Sequence, residues 1–149
     1  MRQRIVPEPI VLSDEQFADL NEKYPPSGAK GSNHTAKERA EHIARLFLEA
    51  LYPGCTFIQC APGADLAIRD PYINVDDQMD FEVKGTSGKT VNISNIVASS
   101  EKSGNLMEKD GVPILRITGI FERVPGIAVL VHGEDFVLEH EYRKRAKPL

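Results

Sequence analysis

Two carboxylates and a lysine have the residue types and spacing for hydrolytic chemistry. Asp65 lies in Pro62-Gly63-Ala64-Asp65-Leu66-Ala67-Ile68, and Glu82 and Lys84 lie in Asp80-Phe81-Glu82-Val83-Lys84-Gly85-Thr86. In a strand, alternate side chains share a face, so Met79, Phe81 and Val83 are expected to point toward a core and Asp80, Glu82 and Lys84 away from it. The apolar face then holds an acid and a lysine rigidly, two positions apart. A hard cation such as Mg²⁺ takes oxygen ligands, usually one or two carboxylates, with water and substrate phosphate completing an octahedron. Asp65 and Glu82 can supply those carboxylates from neighbouring strands, and the backbone carbonyl of Val83 is a further candidate ligand. Such a cation would polarise a phosphoryl group and lower the pKa of a bound water. Lys84 beside it can orient or help deprotonate that water and stabilise negative charge in the transition state. The chemistry expected is phosphodiester hydrolysis.

The elements that must position these groups follow from periodicity. Ser13 and Gln16 form a capping box, and Phe17, Leu20 and Tyr24 follow at helical spacing, giving a first helix ended by Pro25-Pro26. Residues 25–34 carry turn residues without periodicity and are expected to be a loop. Thr35 and Glu38 suggest a second capping box opening a long helix, with apolar residues at Ala40, Ile43, Ala44, Phe47, Leu48 and Leu51 and a stop at Pro53-Gly54. At about 100° per residue, Glu41 falls on the flank of that apolar stripe, roughly a right angle from its centre. On that flank a side chain can pass the core and reach the sheet edge, whereas Glu38 and His42 point toward solvent. Beyond the helix the period changes to two, with strands expected at Thr56–Gln59, Asp65–Ile68 and Met79–Lys84 and a shorter one at Val91–Ile93. Asn95–Asp110 is expected to hold a helix followed by a loop. Strands follow at Pro113–Glu122 and Gly126–Val131, and a short one at Phe136–Leu138 precedes a charged tail. This order predicts a single α/β domain, a mixed sheet flanked by helices, with residues 1–34 forming an N-terminal helix and loop and 35–149 the core.

A Glu-x-Lys triplet alone is uninformative, because it recurs in exposed strands as an ion pair worth under about 1 kcal/mol. Here it follows Gly-x-Asp on the preceding strand and a glutamate on the helix before that. This succession resembles the PD-(D/E)xK nuclease superfamily, the restriction-endonuclease-like fold. The segments around Glu41, Pro-Gly-Ala-Asp65 and Phe-Glu82-Val-Lys84-Gly-Thr particularly resemble its Mrr-like and NO VEIN C-terminal-like branches. The likeness covers about a third of the chain, and Pro62 stands three positions before Asp65 instead of directly before the acid. The resemblance implies Mg²⁺-dependent cleavage of DNA, with Mn²⁺ as a substitute, in restriction, repair or defence. Asp65 and Glu82 would be metal ligands, Lys84 the catalytic lysine and Glu41 an auxiliary acid. Asp70, Asp76 and Asp77, in the segment between the two motifs, are further carboxylates that could take a ligand role. The alternative is a nuclease-fold module that binds nucleic acid or protein without turnover, and RNA stays open as a substrate. Cutting both strands would need a homodimer or two successive events, and specificity would come from loops or a partner protein.

Other features carry less. Gly85-Thr86-Ser87-Gly88-Lys89-Thr90 lacks the spacing of a phosphate-binding loop and precedes an extended segment. It is expected to be a turn beside the site, where Lys89 or Ser87 could touch a phosphate. Glu101 and Lys102 are expected on a solvated helix face. The four histidines, His34, His42, His132 and His140, show no metal-ligand spacing. Cys55 and Cys60 flank a strand that would hold them too far apart to bridge, so both are expected as thiols. A net charge of −4 disfavours tight non-specific nucleic-acid binding. The basic cluster Arg143-Lys144-Arg145 with Lys147 fits either a solvated tail or a phosphate-contacting arm. No apolar run approaches the roughly 20 residues of a membrane span, and the start of the chain is too polar for a signal peptide. A cytoplasmic protein is expected.

Overall fold

The computed structural model describes residues 5–26, 32–72, 78–140 and 144–149. In chain order the elements are β1 (Glu8–Pro9), α1 (Asp14–Lys23), α2 (Ser32–Leu51), β2 (Thr56–Ile58), β3 (Leu66–Arg69), β4 (Met79–Gly85), a 3-10 turn (Ile93–Asn95), α3 (Glu101–Asp110), β5 (Ile114–Thr118), β6 (Gly126–Leu130), β7 (Phe136–His140) and β8 (Lys144–Pro148). Six strands form one mixed sheet in the order β1-β6-β5-β4-β3-β2, and β7 and β8 form a separate hairpin. β2, β3 and β4 run as an antiparallel meander, and the chain then crosses through α3 to lay β5 parallel to β4. The α/β architecture expected from periodicity is therefore the one observed.

Each face of the sheet has its own core. On one face, Ala40, Ile43, Ala44 and Leu48 of α2 are fully buried against Leu66, Ile68, Phe81, Val83, Leu115 and Ile117, together with Leu20 of α1. On the other, Met107 of α3, Ile93, Ile96, Phe136 and Ala146 pack over Ile114, Ala128 and Leu130. The alternation of β4 decides which residues meet which layer: Phe81 and Val83 face α2, and Glu82 shares a face with its register partner Ile114. Leu51, expected in the stripe of α2, is exposed where the helix ends.

Several boundaries differ from expectation, and in Asn95–Asp110 the expected order is reversed: the helix comes last, as α3, because Ser100 caps its start by accepting from Ser103 N–H. The Ser13–Gln16 capping box is present, but α2 begins at Ser32, so Thr35 and Glu38 lie within its first turns and not at its cap. Ser32, Asn33 and Thr35 are all cap-type residues, and the apolar stripe starts too late to choose among them. The expected loop at 25–34 thus loses its last residues to the helix, while 27–31 lie outside the described residues. Val91–Ile93 is not a strand. Ile93 and Ile96 sit three apart, and a 3-10 turn turns both inward. β5 stops at Thr118, because Gly119 takes φ +55° and a turn closes from Glu122 N–H to Gly119 C=O at 2.9 Å. Part of the charged tail becomes β8: Ala146 is buried and donates its N–H to Ile96 C=O at 2.9 Å, leaving Arg145 and Lys147 exposed. The N-terminal segment adds the edge strand β1, paired with β6.

Two contacts hold the helices where the candidate site needs them. Arg39 of α2 is fully buried and donates to Ile120 C=O, to Tyr24 C=O at 2.9 Å and to Asn21 Oδ1 at 3.0 Å, tying α1, α2 and the turn after β5 together. Gly85 lets α2 approach the end of β4: a Cβ added there would lie 2.4 Å from Ala40 Cβ.

Candidate active site

Glu82 is the most deeply placed acid of this face, with 1% of its surface exposed. Its Oε1 accepts from Ser99 Oγ at 3.2 Å and lies 3.4 Å from Lys84 Nζ. Ser103, fully buried in the first turn of α3, faces the same carboxylate. Burial raises the Glu82 pKa above the usual carboxylate value and Asp65 raises it further, while Lys84 and the two serines act in the opposite sense. Keeping a carboxylate this dry with one partly exposed lysine as ionic partner is costly. Such groups concentrate where chemistry needs them.

Asp65 stands just before β3. Its N–H reaches Phe81 C=O at 2.9 Å, and its Oδ2 accepts the N–H of Val83 at 2.8 Å. The preceding turn closes with Ala64 N–H on Ala61 C=O at 3.0 Å, and Gly63 adopts φ +97°. A Cβ on Gly63 would come 2.8 Å from Ser103 N, so only glycine lets this turn lie directly on α3. Asp80 holds the other side of the turn, accepting from Ala61 N–H and the Gln78 side chain, both at 2.9 Å. Asp80 shares the face of Glu82 but is spent on structure.

The backbone of β4 also turns Val83 toward this point. Glu82 N–H bonds Pro113 C=O and Thr86 N–H bonds Ile117 C=O, so the even-numbered residues address β5. Val83 addresses the β3 side, beyond the last β3–β4 pair at Leu66 and Phe81, where its N–H meets Asp65. Its carbonyl points to the same side. Glu41, half-buried on α2, lies within the field of Asp65. Its pKa is raised by burial and by Asp65, against the pull of Lys37 and Arg45. Asp65, Glu82, Lys84 and the Val83 backbone therefore cluster between the turn before β3 and β4, with Glu41 of α2 coupled electrostatically to Asp65.

Three neighbours were not singled out from sequence. Lys37 Nζ lies 4.0 Å from Asp65 Oδ1, and its place one turn before Glu41 was the available signal. Ser103 looked like an ordinary helix residue, and nothing local marks Ser99. Other candidates lie elsewhere. Asp70 is buried and accepts Tyr72 N–H at 2.9 Å, an Asx turn. Asp76, Asp77 and Arg143 lie outside the described residues. Lys89 is exposed and pairs with Glu122 at 3.0 Å, and Glu101 and Lys102 are exposed at the start of α3. His42 packs on Tyr24, and His132 on Phe136. Cys55 and Cys60 are free thiols.

The donor set suits a hard cation. Asp65, Glu82 and the Val83 carbonyl offer only oxygen, and a cation between the two carboxylates would relieve the repulsion that adds to burial in raising the Glu82 pKa. Among the described residues no group of three or more His, Cys, Asp or Glu is arranged to hold a metal ion. A cation at this point would have two carboxylates and a carbonyl from the protein, the kind of partial set that Mg²⁺ completes with water and phosphate. Among the described residues, no helix is long and apolar enough to cross a membrane. Comparison of the chain with family models, curated proteins and solved structures returns no match.

Proposed function

We propose that this protein is a Mg²⁺-dependent endonuclease that hydrolyses DNA phosphodiester bonds, with Asp65, Glu82 and Lys84 as its core machinery and Glu41 as an auxiliary acid. The observation that carries the proposal is the burial of Glu82, at 1% exposure, beside a second carboxylate and a lysine. A solvated strand that merely happens to be charged needs no such arrangement. Asp65, Glu82 and the Val83 carbonyl would hold the cation, and Mn²⁺ has the same preference for oxygen donors. When bound, Mg²⁺ supplies Lewis-acid stabilisation of the phosphoryl charge and acidifies the attacking water. Lys84, oriented by Glu82, addresses the water and the charge that builds on the phosphate as the water oxygen attacks in line with the leaving oxygen. Asp65 is oriented by the Val83 N–H, which leaves its Oδ1 for the cation. One site cuts one strand, and restriction, repair and defence are the settings such chemistry serves.

The test is cleavage of supercoiled and linear plasmid with Mg²⁺ or Mn²⁺, wild type beside Lys84→Ala and Asp65→Asn. Metal-dependent cutting that disappears in both variants is expected. Cutting that survives in both would refute the site. RNA of matched sequence, run in parallel, separates the two substrate classes. Absence of Mn²⁺ binding by calorimetry would favour a module that binds without turnover.

A further inference from the structure

Lys37 has no part in the chemistry described so far, yet it pairs with Asp65 at the edge of the site. Its side chain is 57% exposed, while that of the partner Asp65 is 12% exposed, so the ammonium sits on the solvent side of the carboxylate. Lys84 is the inner cation, 20% exposed and engaged with Glu82. The two oxygens of Asp65 are treated differently. Oδ2 is fixed by the Val83 N–H at 2.8 Å, whereas Oδ1 has Lys37 at 4.0 Å, the outer limit of an ion pair. A pair this long and this exposed holds weakly and is released at little cost. The root of the side chain is nevertheless rigid, because α2 is locked on β4 by the Gly85–Ala40 contact one turn further on. A lysine stem on a fixed helix sweeps an arc of several ångströms, and its ammonium is a point charge suited to a phosphate oxygen.

We infer that Lys37 is a substrate-positioning residue: it neutralises Asp65 Oδ1 until a divalent cation binds there, and then turns outward to hold a phosphate of the incoming strand. This rests on the metal-dependent nuclease reading above and adds a prediction of opposite sign for two ligands. Like charges repel, so Lys37 and the cation compete for Asp65, while Lys37 and the phosphate attract. Removing the ammonium therefore tightens metal and loosens nucleic acid.

The experiment pairs Mn²⁺ titration by calorimetry with fluorescence anisotropy of a DNA duplex across a salt series. Duplex binding is measured with Mg²⁺ in the Lys84→Ala background, to prevent turnover. Lys37→Gln is expected to bind Mn²⁺ several-fold more tightly and the duplex roughly tenfold more weakly, with the salt slope reduced by about one. Lys37→Arg keeps the charge and is expected to retain duplex binding. Lys23→Gln, at an exposed pair with Asp19 on α1, should change neither. Mn²⁺ binding that is lost in Asp65→Asn but is the same in Lys37→Gln and wild type overturns the role of Lys37 and leaves the nuclease reading standing. Tighter metal binding with unaltered duplex binding overturns the phosphate contact. Wild type that binds no Mn²⁺ overturns both.

Discussion

Replacing Gly85 by alanine would put a methyl group where α2 and β4 already touch. The new Cβ would lie 2.4 Å from Ala40 Cβ and 3.3 Å from Ile120 Cγ2. Ordinary carbon contacts are about 3.5–4.0 Å, so α2 must withdraw at Ala40 by more than about 1 Å. Neither neighbour is the far end of a flexible side chain, and the helix is further held by Arg39. Overpacking of this kind costs about 1–3 kcal/mol, which at this chain length lowers Tm by roughly 3–9 °C. The functional consequence is larger in proportion. Glu41 is the residue after Ala40 and Lys37 lies one turn before it, whereas Asp65 and Glu82 belong to the sheet side and stay in place. A 1 Å misplacement of such groups can lower turnover by about a hundredfold. Thermal unfolding and metal-dependent plasmid cleavage measure the two effects separately. The double variant Ala40→Gly with Gly85→Ala moves the missing Cβ from strand to helix. It should regain most of the activity while retaining about 1 kcal/mol of helix cost from the new glycine. If Gly85→Ala melts and cleaves like wild type, or if the double variant recovers no activity, the claim that this contact sets the site is wrong.

The protonation of the buried acids makes a second prediction. Glu82 and Glu41 both have folded pKa values raised above the ordinary 4.5, by burial first and Asp65 second. A group shifted in this sense contributes stability that is full below its unfolded pKa and is lost as pH rises through its folded pKa. The metal-free protein should therefore lose stability relative to Glu82→Gln as pH rises above 4.5, as read by denaturant unfolding at several pH values. A difference that shrinks with rising pH would contradict the assignment. Arg39→Met, finally, leaves the carbonyls of Ile120 and Tyr24 and the Asn21 amide without their donor. Hydrogen bonds from charged donors are worth about 1.5–3 kcal/mol each, and part is returned by removing a buried charge, so a net loss of roughly 2–4 kcal/mol is expected in urea unfolding. An unchanged midpoint would show that the clamp is dispensable.

Local chemistry was enough to indicate much of this arrangement. The alternation of Met79 to Lys84 placed Glu82 and Lys84 on one face of a strand, because side-chain direction in a strand depends only on parity. The apolar stripe of α2 and the Ser13–Gln16 cap were legible for the same reason, since each involves residues within one or two turns. Ile93 and Ile96 carried a period of three that a two-residue alternation concealed, and β8 had only Ala146 to mark its buried side. Tertiary structure decided what no window of sequence contains. Glu82 became a buried carboxylate because the crossover to a parallel β5 brings Ser99, just before α3, and Ser103, in its first turn, over it. Asp65 met Val83 because β3 ends where β4 continues. Lys37 reached Asp65, and Glu41 its field, because Gly85 lets α2 approach β4 within a distance a Cβ would forbid, while Gly63 does the same for the turn before Asp65 against α3. The candidate acids and Lys84 could be named from the chain, but their burial, pairing and charge balance arise from contacts between segments far apart along it, which only packing creates.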